Sequence, residues 1–383
     1  MDVSSLFSRR QLLWAAMSSA VLSADAQFKR APGSGTPPPP QSRQTPLDDG
    51  ATFRTEVRVV NILATVHDAS GRIVSGLSRD DFEILDEGKP RTIQYFSNQS
   101  DTALSLGLLV DISFSQRSVL PEQKSASQQF LSEVLRPAQD KAFVIGFSHE
   151  VTLLQDLTSE RAQLEKAISR LQTPEVRTQR RRQPLTGAQP FQGWPGSRLP
   201  GARRRRRPGE DAGRGSREIP EGIGTALFDA IYLAGNDVLA TVPGRKAILL
   251  ISDGVDFGSK VGESAAIEAA QRADAMVFSL LYKGELDSRV PARLRDRAND
   301  IAEKGKRALE SLSRQTGGAM FSISNQTPLS IVFQSIQEEL RNQYSLGFNA
   351  DDGASGGYHR LEVRVKQKGL KVRAREGYYL RSV

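Results

Sequence analysis

The chain has 383 residues, of which 38% are hydrophobic and none is cysteine, and its formal net charge is +8. This length can hold one large domain or two ordinary ones, and the absence of cysteine excludes disulfides, thiolate catalysis and zinc–sulfur sites. The positive charge is local. Residues 177–217 contain twelve arginines against Glu210 and Asp211, a net charge of +10, so the remainder of the chain sums to −2.

Residues 1–26 have the plan of a signal peptide. An arginine pair at positions 9 and 10 precedes an apolar stretch over 12–22, and small residues at 24 and 26 form a cleavage site. The stretch is too short to span a bilayer, and no other run reaches transmembrane length. We therefore expect an exported, soluble protein, periplasmic or secreted, with no transmembrane segment after signal removal. The arginine pair resembles a twin-arginine signal, although the ordinary secretory route uses similar sequences.

Two segments lack the apolar residues that a core needs. Residues 27–50 are rich in Pro, Gly and Gln and are predicted to form an extended, disordered linker. Residues 174–220 are dominated by Pro, Gly and Arg. Because their like charges repel, we predict a long disordered insertion there.

Alternating apolar and polar residues characterise 51–100 and 343–383, as is typical of half-buried antiparallel strands. Neither segment offers enough strands for a stable sheet alone. We therefore predict that the two segments join into one small β-sandwich. Within the second segment, 359–367 and 371–379 flank a KQKGL turn and are predicted to pair as a hairpin.

The middle of the chain, 101–342, alternates apolar strands with amphipathic helices. Such interleaving predicts a parallel sheet covered on both faces, a doubly wound, Rossmann-like α/β domain inserted into the sandwich. The predicted strands are 103–111, 141–148, 246–252, 275–282 and 319–324. The predicted helices are 120–136, 160–172, 224–240, 263–274, 305–315 and 328–343.

Polar side chains occupy the ends of these strands. Asp111, Ser113 and Ser115 come where the first strand ends, Asp253 follows another strand, and Thr225 opens a helix after two glycines. In doubly wound folds, ligands bind at the carboxyl ends of the strands. Two carboxylates and three hydroxyls are hard oxygen donors that suit Mg²⁺, with Mn²⁺ or Ca²⁺ as alternatives. A cation held by neutral hydroxyls stays electrophilic and could bind a carboxylate of an acidic partner.

Each of these motifs alone also fits a helix cap or a turn, whereas all three in order on an α/β pattern favour a metal site. The DxSxS sequence at 111–115, the Gly-Thr-Ala-Leu turn at 224–227 and the Asp-Gly at 253–254 resemble the metal-ion-dependent adhesion site of von Willebrand factor type A domains. The resemblance covers about residues 101–341. The flanking segments resemble exported type A–related proteins known chiefly from acidobacteria.

This resemblance implies a metal-dependent protein-binding or adhesion module rather than an enzyme. It implies that the metal is ligated, partly through water, by five residues: Asp111, Ser113, Ser115, Thr225 and Asp253. It also implies a protein ligand that supplies a carboxylate to the metal. The Arg-rich insertion departs from the family pattern and lies just before Thr225.

Two alternative functions remain open from the sequence. The first is a metal-dependent hydrolase, for which the sequence offers no good general base. The second is a polyanion-binding protein that uses the Arg-rich insertion, since arginine attracts phosphates in any context. The insertion lacks interleaved aromatic residues for stacking on bases, so envelope polymers or lipid headgroups are expected there rather than a specific nucleic acid.

No other catalytic motif is complete. Ser148 lies in IGFSHE, which lacks the second glycine of a nucleophile elbow. GIGTAL lacks the third glycine of a dinucleotide-binding loop. His67, His149 and His359 are scattered and are expected to be surface or turn residues rather than ligands.

Overall fold

The structure is a computed structural model, and it describes residues 58–98, 102–174, 224–282, 292–350 and 356–380, without the side chains of 292–295. The predicted signal peptide, the linker and nearly all of the Arg-rich insertion lie outside the described residues. These domain assignments therefore stay predictions.

Strands and helices alternate along the described residues. The strands are β1 Val59–His67, β2 Phe82–Asp86, β3 Lys89–Arg91, β4 Tyr95–Asn98, β5 Leu104–Asp111, β6 Lys141–Phe147, β7 Val151–Thr158, β8 Arg245–Ser252, β9 Ala275–Tyr282, β10 Met320–Ile323, β11 Tyr344–Asn349, β12 Gly357–Val365, β13 Lys371–Ala374 and β14 Gly377–Leu380. The helices are α1 Leu120–Val134, α2 Arg161–Ser169, α3 Leu227–Tyr232, α4 Glu263–Arg272, α5 Ala292–Thr316 and α6 Leu329–Arg341. A π-helical segment, Leu233–Leu239, continues α3.

The central sheet has the strand order β10-β9-β8-β5-β6-β7. All neighbours are parallel except β7, which pairs antiparallel with β6. Strands β5, β8 and β9 are buried along their whole length, because helices cover both faces of the sheet. This confirms the predicted doubly wound α/β fold. The chain leaves β5 toward β6 and later returns on the other side as β8, so the topological switch point lies between β5 and β8.

Two elements of this domain differ from the sequence prediction. Strand β7 was not predicted, because its sequence VTLLQDLT does not alternate cleanly and only part of it is covered at the sheet edge. Helix α5 begins at residue 292 rather than 305, because its first turns are rich in charged residues and carry few apolar ones to mark the helical period.

Both ends of the chain contribute to a β-sandwich, as predicted. One sheet has the order β13-β1-β11-β4 and the other β14-β12-β2-β3. In each sheet, strands from before the α/β domain pair directly with strands from after it. The sandwich encloses its own apolar core, with Ile62, Ile84, Tyr344 and Phe348 fully buried.

The predicted hairpin between 359–367 and 371–379 is wrong. Strand β12 pairs with β14 and β2, whereas β13 pairs with β1 in the opposite sheet. The turn therefore carries the chain from one sheet of the sandwich to the other. Alternation alone cannot tell these arrangements apart, because both give strands with one buried face.

Asp140 joins the loop after α1 to the start of the central strand. One carboxylate oxygen accepts a hydrogen bond from the backbone N–H of Leu104 at 2.8 Å, and the other accepts from the backbone N–H of Arg136 at 2.9 Å. The Arg136 guanidinium donates to both oxygens, at 2.9 and 3.0 Å. Burial acts to raise the pKa of Asp140, but the hydrogen bonds from Arg136 and Leu104 outweigh it and lower the pKa.

We expect Asp140→Asn to destabilise the protein by about 1–3 kcal/mol at pH 7, since one amide group cannot accept all four hydrogen bonds. A carboxylate with a lowered pKa stabilises the fold above its unfolded pKa of about 3.9 and loses that contribution as the pH falls through the folded value. The difference in melting temperature between wild type and variant should therefore shrink only below about pH 4. Asp80→Asn, at a side chain that is 90% exposed, is the matched control. A difference that is equally large at pH 7 and pH 3 would contradict this account.

None of the helices in the described part of the chain combines the length and the apolar character needed to cross a membrane.

Candidate metal centre

Asp111 is the last residue of β5 and lies at the switch point beside β8. Its side chain is fully buried. One carboxylate oxygen accepts a hydrogen bond from the backbone N–H of Ser113 at 2.9 Å, and the other accepts from the Ser252 hydroxyl at 2.8 Å. The backbone N–H of Gly254 in turn donates to the Ser252 hydroxyl at 3.0 Å. The carboxylate is thereby fixed between the ends of the two central strands.

Hydrogen bonds connect the loop after β5 to Asp253, the residue that follows β8. The Ser113 and Ser115 hydroxyl oxygens are 3.0 Å apart, and the Ser115 hydroxyl donates to Asp253 Oδ2 at 2.7 Å. Asp253 Oδ1 accepts from the backbone N–H of Val255 at 3.0 Å. Four of the five candidate ligands, from two strand ends, therefore lie in one cluster at the carboxyl edge of the sheet.

Thr225 reaches the same edge through backbone contacts. Its N–H donates to the carbonyl of Phe257 at 3.2 Å, and its carbonyl accepts from the N–H of Phe257 at 2.8 Å. The next N–H, of Ala226, donates to the carbonyl of Ser148, just beyond β6. Asp256 fixes the helix that follows, since its carboxylate accepts from the N–H of Leu227 at 3.0 Å. The Thr225 loop is thus held between the loops that follow β6 and β8.

The cluster is electrostatically unbalanced. Burial and, after it, the negative charge of Asp253 raise the pKa of Asp111 to about 7, because the hydrogen bonds from Ser113 and Ser252 offset only part of their effect. No Lys or Arg of the described residues forms an ion pair with either carboxylate. Burying a carboxylate without a counter-charge is unfavourable. A hard cation would supply that counter-charge, and hydroxyl and carboxylate oxygens are the donors that it prefers.

Any metal here would depend on neutral donors. The described residues contain no group of three or more His, Cys, Asp or Glu side chains that could hold a metal ion. Asp111 and Asp253 are therefore the charged part of the candidate site, and the hydroxyls of Ser113, Ser115 and Thr225 the uncharged part. This donor set fits Mg²⁺, which usually takes one or two carboxylates and keeps several waters.

Two glutamines support the site and were not identified from the sequence. Gln116, almost fully buried, donates from Nε2 to Asp253 Oδ2 at 3.1 Å, and Gln123 of α1 donates from Nε2 to Gln116 Oε1 at 3.1 Å. Gln123 occupies the buried face of α1 together with Leu120 and Phe130, where an apolar residue is expected. A polar residue on an apolar helix face is the sequence signal that could have revealed this contact.

Gly254 and Gly305 bring α5 against the loop that carries Asp253. A Cβ atom at position 305 would lie 2.8 Å from the carbonyl carbon of Gly254 and 2.9 Å from the carbonyl oxygen of Asp253. Gly254 has a φ of +79°, a conformation that other residues rarely adopt. The close approach of the two backbones therefore depends on glycine at both positions.

We expect Gly305→Ala to destabilise the protein and to weaken Mg²⁺ binding, although helix propensity alone favours alanine by about 1 kcal/mol. The added methyl group must displace the backbone of Asp253 or bend α5, and such overpacking costs about 1–3 kcal/mol. Thermal unfolding and Mg²⁺ titration calorimetry measure the two effects. Gly262→Ala is the control, because its Cβ would meet open space and its φ is −87°. A more stable Gly305→Ala variant would show that the contact does not matter.

Ser148 and the histidines take no part in the cluster. Ser148 is 3% exposed, and its hydroxyl lies 3.3 Å from Nδ1 of the adjacent His149. His67 lies 3.6 Å from Glu339 and His359 lies 3.9 Å from Asp86, both in or beside the sandwich. These contacts account for Ser148, His67 and His359 as packed or paired residues of the fold.

No family model matches the chain, and no curated protein matches it. Among solved structures, the chain is similar to a von Willebrand factor type A protein from Catenulispora acidiphila at 11% identity and a TM-score of 0.39, over 86% of this chain and 75% of that one. It is also similar to the vWF domain of the type V pili tip protein Mfa5 from Porphyromonas gingivalis, at 12% identity and a TM-score of 0.39, over 62% and 95% of the two chains.

A third similar structure is proximal thread matrix protein 1 of the mussel byssus, described with a zinc-occupied MIDAS motif. It is 13% identical with a TM-score of 0.41, over 67% of this chain and 50% of that one. Because these identities and TM-scores are low, the candidate metal site is argued only from the residues and contacts of this chain. The names of the first two structures are those of the family that the sequence resembles.

Proposed function

We propose that this chain is an exported von Willebrand factor type A protein that binds Mg²⁺ and, through the metal, an acidic group of a protein partner. The metal ligands proposed are Asp111, Ser113, Ser115, Thr225 and Asp253, some of them through water. The observation that carries the proposal is the pair of carboxylates at the ends of β5 and β8, linked through hydroxyls and without an ion pair to any described Lys or Arg.

Neighbouring groups orient the two carboxylates of the proposed site. Asp111 is held from both sides by the Ser113 N–H and the Ser252 hydroxyl, so its carboxylate cannot turn away from the edge. Gln116 and the Val255 N–H orient Asp253 in the same way. When bound, Mg²⁺ supplies an electrophilic centre with exchangeable coordination positions. Since three of the five donors are neutral, much of its charge would remain available to an anionic partner group.

Binding rather than catalysis is the function that this arrangement supports. A metal-dependent hydrolase needs a general base beside the metal, and the described side chains that hydrogen-bond to the two carboxylates are the hydroxyls of Ser115 and Ser252 and the amide of Gln116, which do not ionise at neutral pH. The carboxylates themselves are the proposed ligands. The alternative of polyanion binding rests on the Arg-rich insertion, which lies outside the described residues.

Water proton relaxation with Mn²⁺ in place of Mg²⁺ tests the proposal directly. Bound Mn²⁺ that keeps exchangeable waters should enhance the relaxation rate, and Mg²⁺ should compete for the site. Addition of glutarate or of an oligo-aspartate peptide should then lower the enhancement, because a carboxylate replaces a water. Asp253→Ala should show neither effect. A Mn²⁺ signal that no carboxylate changes would contradict an open coordination position.

A further inference from the structure

A groove of about 980 Å³ runs beside the candidate metal centre. One wall is the loop from Phe114 to Arg117 and the first turns of α1, and the other is formed by the last residue of α2 and the segment after it, within 169–174. Lys124 joins the walls, since its ammonium donates to the carbonyls of Ser169 at 2.7 Å and Leu171 at 3.1 Å. We call this feature the α1–α2 groove. It opens at the same sheet edge as the metal centre, because Phe114 stands between Ser113 and Ser115.

The α1–α2 groove carries positive charge without a compensating acid. Arg117 and Lys124 line it, and none of its lining residues is acidic. Lys124 is bonded to neutral carbonyls, so its charge is not cancelled. The Arg117 side chain is exposed, and no described residue forms an ion pair or hydrogen bond with its guanidinium. Such a surface favours an anionic occupant.

Two exposed aromatic rings stand at the rim of the metal centre. Phe114, between two proposed ligands, is 62% exposed, and Phe257, whose backbone pairs with Thr225, is 55% exposed. Phe114 also lines the α1–α2 groove. Large aromatic side chains beside a polar site are typical of protein-binding surfaces. The apolar rim thus lies between the metal centre and the charged groove.

We propose that the α1–α2 groove binds an extended segment of the protein partner that carries two acidic side chains with an apolar residue between them. The first carboxylate reaches the metal, the apolar side chain packs on Phe114, and the second carboxylate pairs with Arg117 and Lys124. This proposal rests on the proposed function of the metal centre. Arg117 follows Ser115 by two residues, so the second acidic residue lies about two to four positions from the first in an extended peptide.

The charge of the chain itself argues against an internal occupant. Residue 174 is followed by the Arg-rich insertion, whose sequence carries +10 over 177–217. A cationic segment would be repelled by Arg117 and Lys124, so the groove selects an acidic segment from another protein. The same insertion would attract such a partner and speed its encounter.

A display library of random dodecapeptides, selected on the full chain in Mg²⁺, tests the proposal. We expect enriched peptides to contain two acidic residues about two to four positions apart. On an Arg117→Glu variant, the selected peptides should keep one acidic residue and lose the preference for the second. Peptides selected on wild type should bind this variant about tenfold more weakly. Lys141→Glu has the same charge change at the opposite edge of the sheet and should bind them within about twofold.

The outcomes separate the two proposals. No enrichment, identical pools from wild type and Arg117→Glu, or equal losses in both charge variants would overturn the groove proposal. If peptides with two acidic residues are selected equally well in EDTA and on Asp253→Ala, the groove proposal is supported and the metal-dependent function is overturned. Titration calorimetry of Arg117→Glu should show Mg²⁺ affinity no weaker than that of wild type. The variant replaces a positive charge by a negative one, and this change does not repel a cation. Weaker Mg²⁺ binding would mean that Arg117 acts on the metal centre and not on a partner.

Discussion

Replacement of Asp111 or Asp253 by alanine is expected to abolish binding of Mg²⁺ and Mn²⁺ while leaving the protein folded. They are the only charged donors among the five proposed ligands, and hydroxyls without a carboxylate bind a hard cation weakly in water. Titration calorimetry with each metal measures the loss. Asp80→Ala, at an exposed side chain just before β2 of the sandwich, serves as the matched control. Undiminished binding in both alanine variants would overturn the assignment of the site.

The fold should survive these changes for different reasons at the two positions. Asp253 is only partly buried, and its removal leaves Ser115 free to bond water. Asp111 is fully buried, and alanine there would leave the Ser252 hydroxyl without its acceptor, at a cost of about 1–3 kcal/mol. Asp111→Asn keeps a carbonyl for the Ser113 N–H and removes a buried charge that has no counter-charge. In the absence of metal we therefore expect Asp111→Asn to unfold at a temperature equal to or above that of wild type, by circular dichroism.

The location of the candidate site followed from a rule about strand ends. A carboxylate without a counter-charge is unfavourable in the middle of a strand that is covered on both faces, so Asp111 and Asp253 indicated where β5 and β8 end. Their placement on neighbouring strands was not contained in the sequence pattern. It depends on the strand order, in which β8 returns beside β5 rather than beside β7.

The contacts that orient the site were harder to infer. Gln116 donates a hydrogen bond to Asp253 across a separation of 137 residues. Gly305 lets α5 approach the backbone of Asp253, and the sequence prediction had placed the start of this helix too late in the chain. Such contacts are tertiary, and local periodicity does not encode them. The same holds for β13, whose alternation is correct for a strand but does not say which of two facing sheets it joins.

A chain that ends at Gln343 is expected to lose the β-sandwich altogether. Strand β1 would lose both of its neighbours, β11 and β13, and β2 would lose β12, so the remaining strands could form at most one pair, β2 with β3. Isolated two-stranded hairpins are marginal in water. Ile62 and Ile84, now fully buried, would be exposed. The deletion also removes Arg375, whose guanidinium bonds Asp274 and the carbonyl of Asn61.

Limited proteolysis with mass spectrometry distinguishes unfolding of the β-sandwich alone from unfolding of the whole chain. The α/β domain has its own two apolar clusters on either face of the central sheet. We therefore expect cleavage concentrated in 58–98, with aggregation of the intact chain, while fragments spanning β5 to α6 last longer. A chain that lacks residues 1–50 is the matched control, because the deletion is of similar length and ends before β1 begins at Val59. Protease resistance of 58–98 in a monomeric truncated chain would mean that the first half of the sandwich folds without the second, contrary to the pairing of β1 with β11.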